Sequence, residues 1–226
     1  MDTINEKNVI ALMIVLMTLG LAACGSGSKT PADTVDSFLN ALKNKDSDTI
    51  ESLYAGNNPY FATTDFALKA EAMQVTSDKK ELEKYYEETF TPKLLDFDYE
   101  IGDEKVNGDT ATVDVTFTTY NIGDTMVSYK KEHDKKFQKM FGTVKNPSDD
   151  VKMKDLQKKF DKEDSVLYKK SVDGMKKSYK GKATISLTKK DGAWVIDEFK
   201  DDDSFYNASI GGVIDANKEI ENIEAK

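Results

Sequence analysis

The first clear periodicity lies between Pro31 and Asn44. Val35, Phe38, Leu39 and Leu42 recur there at the spacing of one helical face. Thr30 stands where an N-cap would, and Pro31 suits a first turn. A second short helix is expected from Ser47 to Tyr54, with Ile50, Leu53 and Tyr54 inward, and Gly56-Asn57-Asn58-Pro59 ends it. Phe61 to Val75 is ambiguous and reads as partly helical. Asp78 to Phe90 repeats Leu82, Tyr85, Tyr86 and Phe90 at helical spacing, and Pro92 is expected to stop it.

The period then changes from helix to strand. Leu94–Val106 and Asp109–Ile122 flank Asn107-Gly108, the pair preferred in a type I′ hairpin. Ala111, Val113, Val115 and Phe117 alternate with Thr112, Asp114, Thr116 and Thr118, so one face should be buried and the other wet. Met126 to Tyr179 is lysine-rich and helical in pattern, broken at Asn146-Pro147-Ser148. One stripe is Tyr129, Phe137, Met140 and Phe141; another is Leu156, Phe160, Leu167, Val172, Met175 and Tyr179. Strand pattern returns at Lys182–Thr188. Asp191-Gly192 turns the chain into a last strand, Ala193–Phe199, and Asp201-Asp202-Asp203 marks the exit. Ser209 to Ala225 reads as an amphipathic helix. The fold class is therefore α+β, with N-terminal helices, two antiparallel hairpins and a helical block over residues 126–180 between them.

The chain opens differently. Val9 to Leu21 is apolar apart from Thr18 and Gly20. About a dozen residues suit a signal-peptide core and fall short of the ~20 that span a bilayer. The run ends in Leu21-Ala22-Ala23-Cys24, and Cys24 is the only cysteine. This tetrapeptide resembles the lipobox of bacterial lipoproteins. The resemblance implies that residues 1–23 are removed and that Cys24 becomes an acylated first residue on the extracellular face of the cell membrane. A plain secretory signal and an uncleaved anchor helix are the competing readings, and the n-region, with Lys7 as its one basic side chain, is the weak part. Each buried methylene contributes ~0.8 kcal/mol, so two acyl chains would hold the protein stably. Gly25-Ser26-Gly27-Ser28-Lys29-Thr30 has the composition of a flexible linker, which makes residues 24–30 a spacer. The partner implied is thus the lipid bilayer, through Cys24.

Charge and composition narrow the functions. The net charge is −9 and every basic residue is lysine. No basic patch is read from the sequence, so nucleic acid is not an expected partner, and adhesion to anionic wall polymers is not expected either. Without arginine there is no bidentate fork for carboxylates or phosphates. Acylation of Cys24 would leave no thiol for a disulfide, a thiol nucleophile or a cysteine–zinc site.

Val35-x-x-Phe38-Leu39-x-Ala41-Leu42, Asp48-x-x-x-x-Leu53-Tyr54, Asn107-Gly108-Asp109-x-Ala111-x-Val113 and Lys190-Asp191-Gly192-x-Trp194-x-Ile196 together resemble the NTF2-like superfamily. Within it, the resemblance is to small cone-shaped domains of exported Gram-positive lipoproteins. It covers roughly residues 31–122 and 181–199. The implied fold packs the N-terminal helices on a curved antiparallel sheet, and the resemblance makes the block at 126–180 a helical insertion. The implied division is an NTF2-like domain at 31–200 with that insertion, then an acidic exit and C-terminal helix at 201–226. Enzymes of the superfamily place a carboxylate inside the cone, and many members only bind.

No candidate for chemistry stands out. His133, the one histidine, lies in a charged stretch and is expected to be a solvated surface imidazole. Asp114 is the one pocket-carboxylate candidate on the hairpin, and strand alternation turns it outward. Asn44, Asp46 and Asp48 imitate a calcium loop but lack its glycine and glutamate, so capping is the better reading. Ser-x-x-Lys at Ser26, Ser77, Ser128 and Ser186 is what frequent lysine produces by chance. The Asp201-Asp202-Asp203 run is expected to be solvated. Tyr54, Tyr60, Phe61, Tyr85, Tyr86, Phe90, Phe97 and Tyr99 are core by default and, taken together, candidates to line a ligand groove. No cofactor, metal or catalytic residue is assigned. The expectation is noncatalytic binding of a protein partner or small apolar ligand. The alternative is an acid–base enzyme acting on a small apolar substrate in the cone, and a third reading is the solute-binding component of a transporter.

Overall fold

The computed structural model describes residues 29–57, 59, 79–142, 150–200 and 203–224. Residues 1–23, Cys24 and most of the linker, the 61–75 segment, Tyr60, Asn146-Pro147-Ser148 and Asp201-Asp202 lie outside the described residues.

Helix α1 spans Pro31–Asn44. Thr30 accepts the Asp33 N–H while the Asp33 carboxylate accepts the Thr30 N–H, a reciprocal cap. Val35, Phe38, Leu39 and Leu42 are buried on one side, as their spacing requires. Helix α2, Ser47–Leu53, is capped by Asp46, whose carboxylate accepts both the Thr49 N–H and the Thr49 hydroxyl. Asp46 caps the helix and Asp48 lies in its first turn, which accounts for their calcium-loop look.

Pro92 does not stop the next helix. Helix α3, Lys79–Tyr85, runs into a π turn at Tyr86–Phe90 and on into α4, Thr91–Leu95. The Thr91 N–H bonds the Tyr86 carbonyl, five residues back. That wider turn resets the ladder so that Pro92 falls in a new first turn, where its missing N–H costs nothing. Leu94 and Leu95 consequently belong to α4, and the first strand begins only at Asp98.

Strands β1 (Asp98–Asn107), β2 (Thr110–Tyr120), β3 (Lys177–Lys190) and β4 (Ala193–Ile196) form one open antiparallel sheet in the order β1-β2-β3-β4. The first turn is offset from the type I′ expectation. Asn107 pairs with Thr110, Gly108 and Asp109 are central, and Gly108 alone has positive φ, at 60°. Glycine at the first central position is the type II′ requirement. The second hairpin does carry positive φ at both central residues, Asp191 at 50° and Gly192 at 84°.

Between β2 and β3 the chain forms a pair of long helices, α5 (Ile122–Phe141) and α6 (Asp150–Asp173). The helices therefore run between 122 and 173, where the sequence pattern suggests helix from 126 to 179. Met175 and Tyr179 leave the helical stripe because β3 pairs with β2 along its whole length, down to Tyr120 opposite Lys177. Sheet hydrogen bonds outweigh the accidental i, i+4 spacing of two large apolar residues. The roots of the helical hairpin are tied together: the Asn121 N–H bonds the Lys176 carbonyl, and the Lys176 N–H bonds the Asn121 side-chain oxygen.

β4 ends at Ile196, three residues early, and a short helix α7 follows at Ser204–Ser209, capped by Asp203. Helix α8 spans Val213–Glu224 and lies along α5. Gly211 and Gly212 make the bend between them at φ 60° and 82°. A Cβ on Gly211 would lie 2.0 Å from the Tyr120 carbonyl oxygen, so only glycine fits. The chain after residue 200 is thus part of the core, since Phe205, Tyr206, Val213 and Ile214 all join it.

Candidate functional site

The inner face of the sheet is filled with rings. Val113, Val115 and Phe117 of β2 and Ile185 and Leu187 of β3 are essentially inaccessible. Above them Phe199 and Phe205 stack at 4.1 Å, Phe38 and Tyr54 at 5.6 Å, and Phe117 meets Phe97 and Phe205 edge-on. Tyr54, Tyr86, Phe90 and Phe97 are buried core, and Tyr85 and Tyr99 are half-buried. Tyr85 donates to Asp173 and Tyr99 to Asp36, and each hydroxyl is held protonated well above its usual range by burial and then by the facing carboxylate.

Asp114 faces away from these rings. It accepts a 2.7 Å hydrogen bond from Thr184 on the outer surface of the sheet. A bulge between Ile101 and Glu104 interrupts β1 beside it. Asp103, Asp114, Thr116, Lys182 and Thr184 line a shallow depression of about 480 Å³ there. This polar, open surface can hydrogen-bond a hydrated molecule but does not enclose an apolar one.

His133 is a correction. Its side chain is 14% exposed, wedged between α5 and α6. Its ring meets Phe160 edge-on at 5.2 Å, and Nδ1 lies 3.1 Å from Asp134. It is a packing residue of the helical hairpin, because α6 covers the side of α5 from which it projects.

One turn away lies a polar layer that sequence reading missed. Asp164 is wholly buried, and one carboxylate oxygen accepts a 2.7 Å hydrogen bond from Tyr129. Burial pushes the Asp164 carboxyl up from its usual range, and the Tyr129 hydrogen bond and the nearby His133 only partly counter this. Its second oxygen and the Tyr168 hydroxyl have no hydrogen-bond partner among the described residues. Asp161, a turn earlier, is also buried and raised, with the Gln157 amide donating to it at 2.8 Å. The signal was present: Leu156, Phe160, Asp164, Tyr168 and Val172 form an unbroken i, i+4 row, with a carboxylate at its centre.

The lysines divide along the hairpin. Near its roots they are engaged: Lys130 with Asp134 and Glu224, Lys131 with Glu219, Lys169 with Glu81. The Lys131–Glu219 pair removes Lys131 as a base for Ser128, and Lys189 lies over the Trp194 ring, away from any such role toward Ser186. Ser26 and Ser77 lie outside the described residues. In the distal half, Lys139, Lys154, Lys158, Lys159 and Lys162 are exposed, with no carboxylate of the described residues in ion-pair range. The net charge of −9 thus conceals a local basic concentration, contrary to the expectation that no basic patch exists. A groove of about 580 Å³ runs between α5 and α6 on one side, with Thr125, Ser128, Val166, Leu167 and Lys170 among its walls.

Among the described residues no three metal-ligating side chains converge, and no helix is long and apolar enough to cross a membrane. In comparison with known proteins, the chain matches no family model, and no curated protein or solved structure is significantly similar to it.

Proposed function

We propose that this protein is a lipoprotein anchored by acylated Cys24 to the extracellular face of the membrane, that its α+β domain is an NTF2-like cone, and that it works by binding. The helical hairpin, α5 with α6, is the binding element. The observation that carries this reading is the aromatic filling of the inner sheet face, from Phe38 to Phe205, with Asp114 turned to the opposite side. An acid–base enzyme of this fold needs an inward carboxylate in a dry pocket. Here the ring stack occupies that position. The hairpin offers exposed lysines without carboxylate partners among the described residues, a partly exposed aromatic cluster and a groove between two long helices.

Two measurements test the reading. Cys24→Ala should move the protein from the membrane fraction to the medium, and unchanged retention would count against lipidation. A turnover activity lost in Asp114→Ala, with the fold intact, would overturn the noncatalytic reading.

A further inference from the structure

The distal half of the hairpin has a composition unlike the rest of the chain. Over residues 135–142 and 150–162 there are eight lysines and three aspartates, in a protein whose net charge is −9. Five of those lysines have no carboxylate partner among the described residues. The same distal half carries an aromatic cluster that the helix pair does not fully cover. Phe137 and Phe141 stack at 4.7 Å and both meet Phe160 edge-on, yet Phe137 remains 45% exposed. Met140, Met153 and Leu156 are only half-buried.

We infer that this distal half docks on the anionic headgroup surface of a membrane. The inference rests on the membrane-anchored reading above and names the partner of the hairpin. Lysines on flexible stems around a half-exposed apolar centre match an interface that is negative outside and apolar beneath. The cations settle among lipid phosphates while Phe137 and its neighbours enter the acyl boundary. Lysine suits this role better than arginine would, because a diffuse sheet of charge asks for point cations and not for a bidentate fork. The engaged lysines at the roots, Lys130, Lys131 and Lys169, take no part. Their carboxylate partners hold them to the domain.

The experiment is hydrogen exchange on the protein as it is anchored in the cell, with no substitution, reconstituted through its own N-terminal anchor. One set of vesicles is phosphatidylcholine alone; the other is phosphatidylcholine with added phosphatidylglycerol. The expected result is slower exchange over 135–142 and 150–162 in the phosphatidylglycerol vesicles only, reversed by high salt. The variant Lys154→Glu/Lys158→Glu/Lys159→Glu changes exposed positions only. It should weaken docking by about a hundredfold or more and restore the phosphatidylcholine exchange rate. Equal exchange in both vesicle types overturns the inference and turns the patch toward an acidic protein. Slowing that survives both salt and the triple substitution also overturns it. In each case the protein remains anchored, so failure here is distinct from failure of the lipoprotein reading, which Cys24→Ala reports.

Discussion

The sheet and the helical hairpin solve burial in opposite ways. The sheet with α1 and α7 buries apolar side chains against one another, and most of its polar residues stand on the outer face, where water satisfies them, with Thr119 as a buried exception. The hairpin encloses a carboxylate. Asp164 sits where an ordinary helix pair would place a leucine, held by one tyrosine hydroxyl and flanked by a second buried aspartate. A buried carboxylate contributes little net stability and penalises any arrangement that leaves it unpaired. The sheet is therefore expected to hold the molecule together, and the hairpin to be the part that opens first.

The largest effects should come from the ring stack. Phe38→Ala or Phe117→Ala removes a fully buried ring and should cost about 3–5 kcal/mol by denaturant unfolding. Phe137→Ala, at the exposed end of the hairpin, should change stability by less than about 1 kcal/mol. Equal losses at both sites would break the contrast. Gly211→Ala forces a side chain against the Tyr120 carbonyl at positive φ, and a loss of about 1–3 kcal/mol is expected in the same assay. Tyr129→Phe takes away the donor to Asp164 and should cost about 1–3 kcal/mol near neutral pH, with the loss confined to amides of α5 and α6 by hydrogen exchange.

Acid should separate the two regions by sign. The Asp164 carboxyl titrates higher in the folded protein than its ordinary 3.8. Folding therefore favours its proton, and its favourable contribution is full below 3.8 and is lost as pH rises through the folded value. Asp96 behaves in the opposite way, since the Lys177 ammonium between α4 and β3 holds it below 3.8. Its contribution is present above 3.8 and fades as pH falls through the lower folded value. Lowering the pH toward 3.8 should thus slow exchange in the hairpin, and only below 3.8 should the Asp96–Lys177 tie loosen. Asp164→Asn should shrink the hairpin's response to what Asp161 supplies and leave the other unchanged. A comparably small effect is expected for Thr30→Ala, about 1 kcal/mol from loss of the α1 cap.

What could be read in advance follows a physical division. Helix α1 was legible because its face, cap and first-turn proline all agree. The two hairpins were legible because strand alternation and turn residues agree. The second long helix was legible as a helix but not in extent, since Met175 and Tyr179 continue its spacing into what becomes β3. The polar layer was hidden for a related reason. Asp164 reads as one more charged residue in a lysine-rich stretch, and only the approach of Tyr129 from α5 makes it buried. α7 was missed because six residues carry too little periodicity to stand out beside an acidic run.

The sequence by itself determined the α+β class, the buried faces of α1 and β2, the second hairpin turn and the first to within one residue, and the placement of the only cysteine after an apolar run. Each of these depends on residues near one another in the chain. The tertiary structure decided the rest. It extended β3 toward the helices because β2 offered unpaired backbone, and it carried the helix past Pro92 by widening one turn. It buried Asp164 and most of His133 because α6 lies across α5, and it left Lys139, Lys154, Lys158, Lys159 and Lys162 without a carboxylate partner among the described residues. Partners far apart in sequence set the outcome at each of these sites, and no local pattern records them.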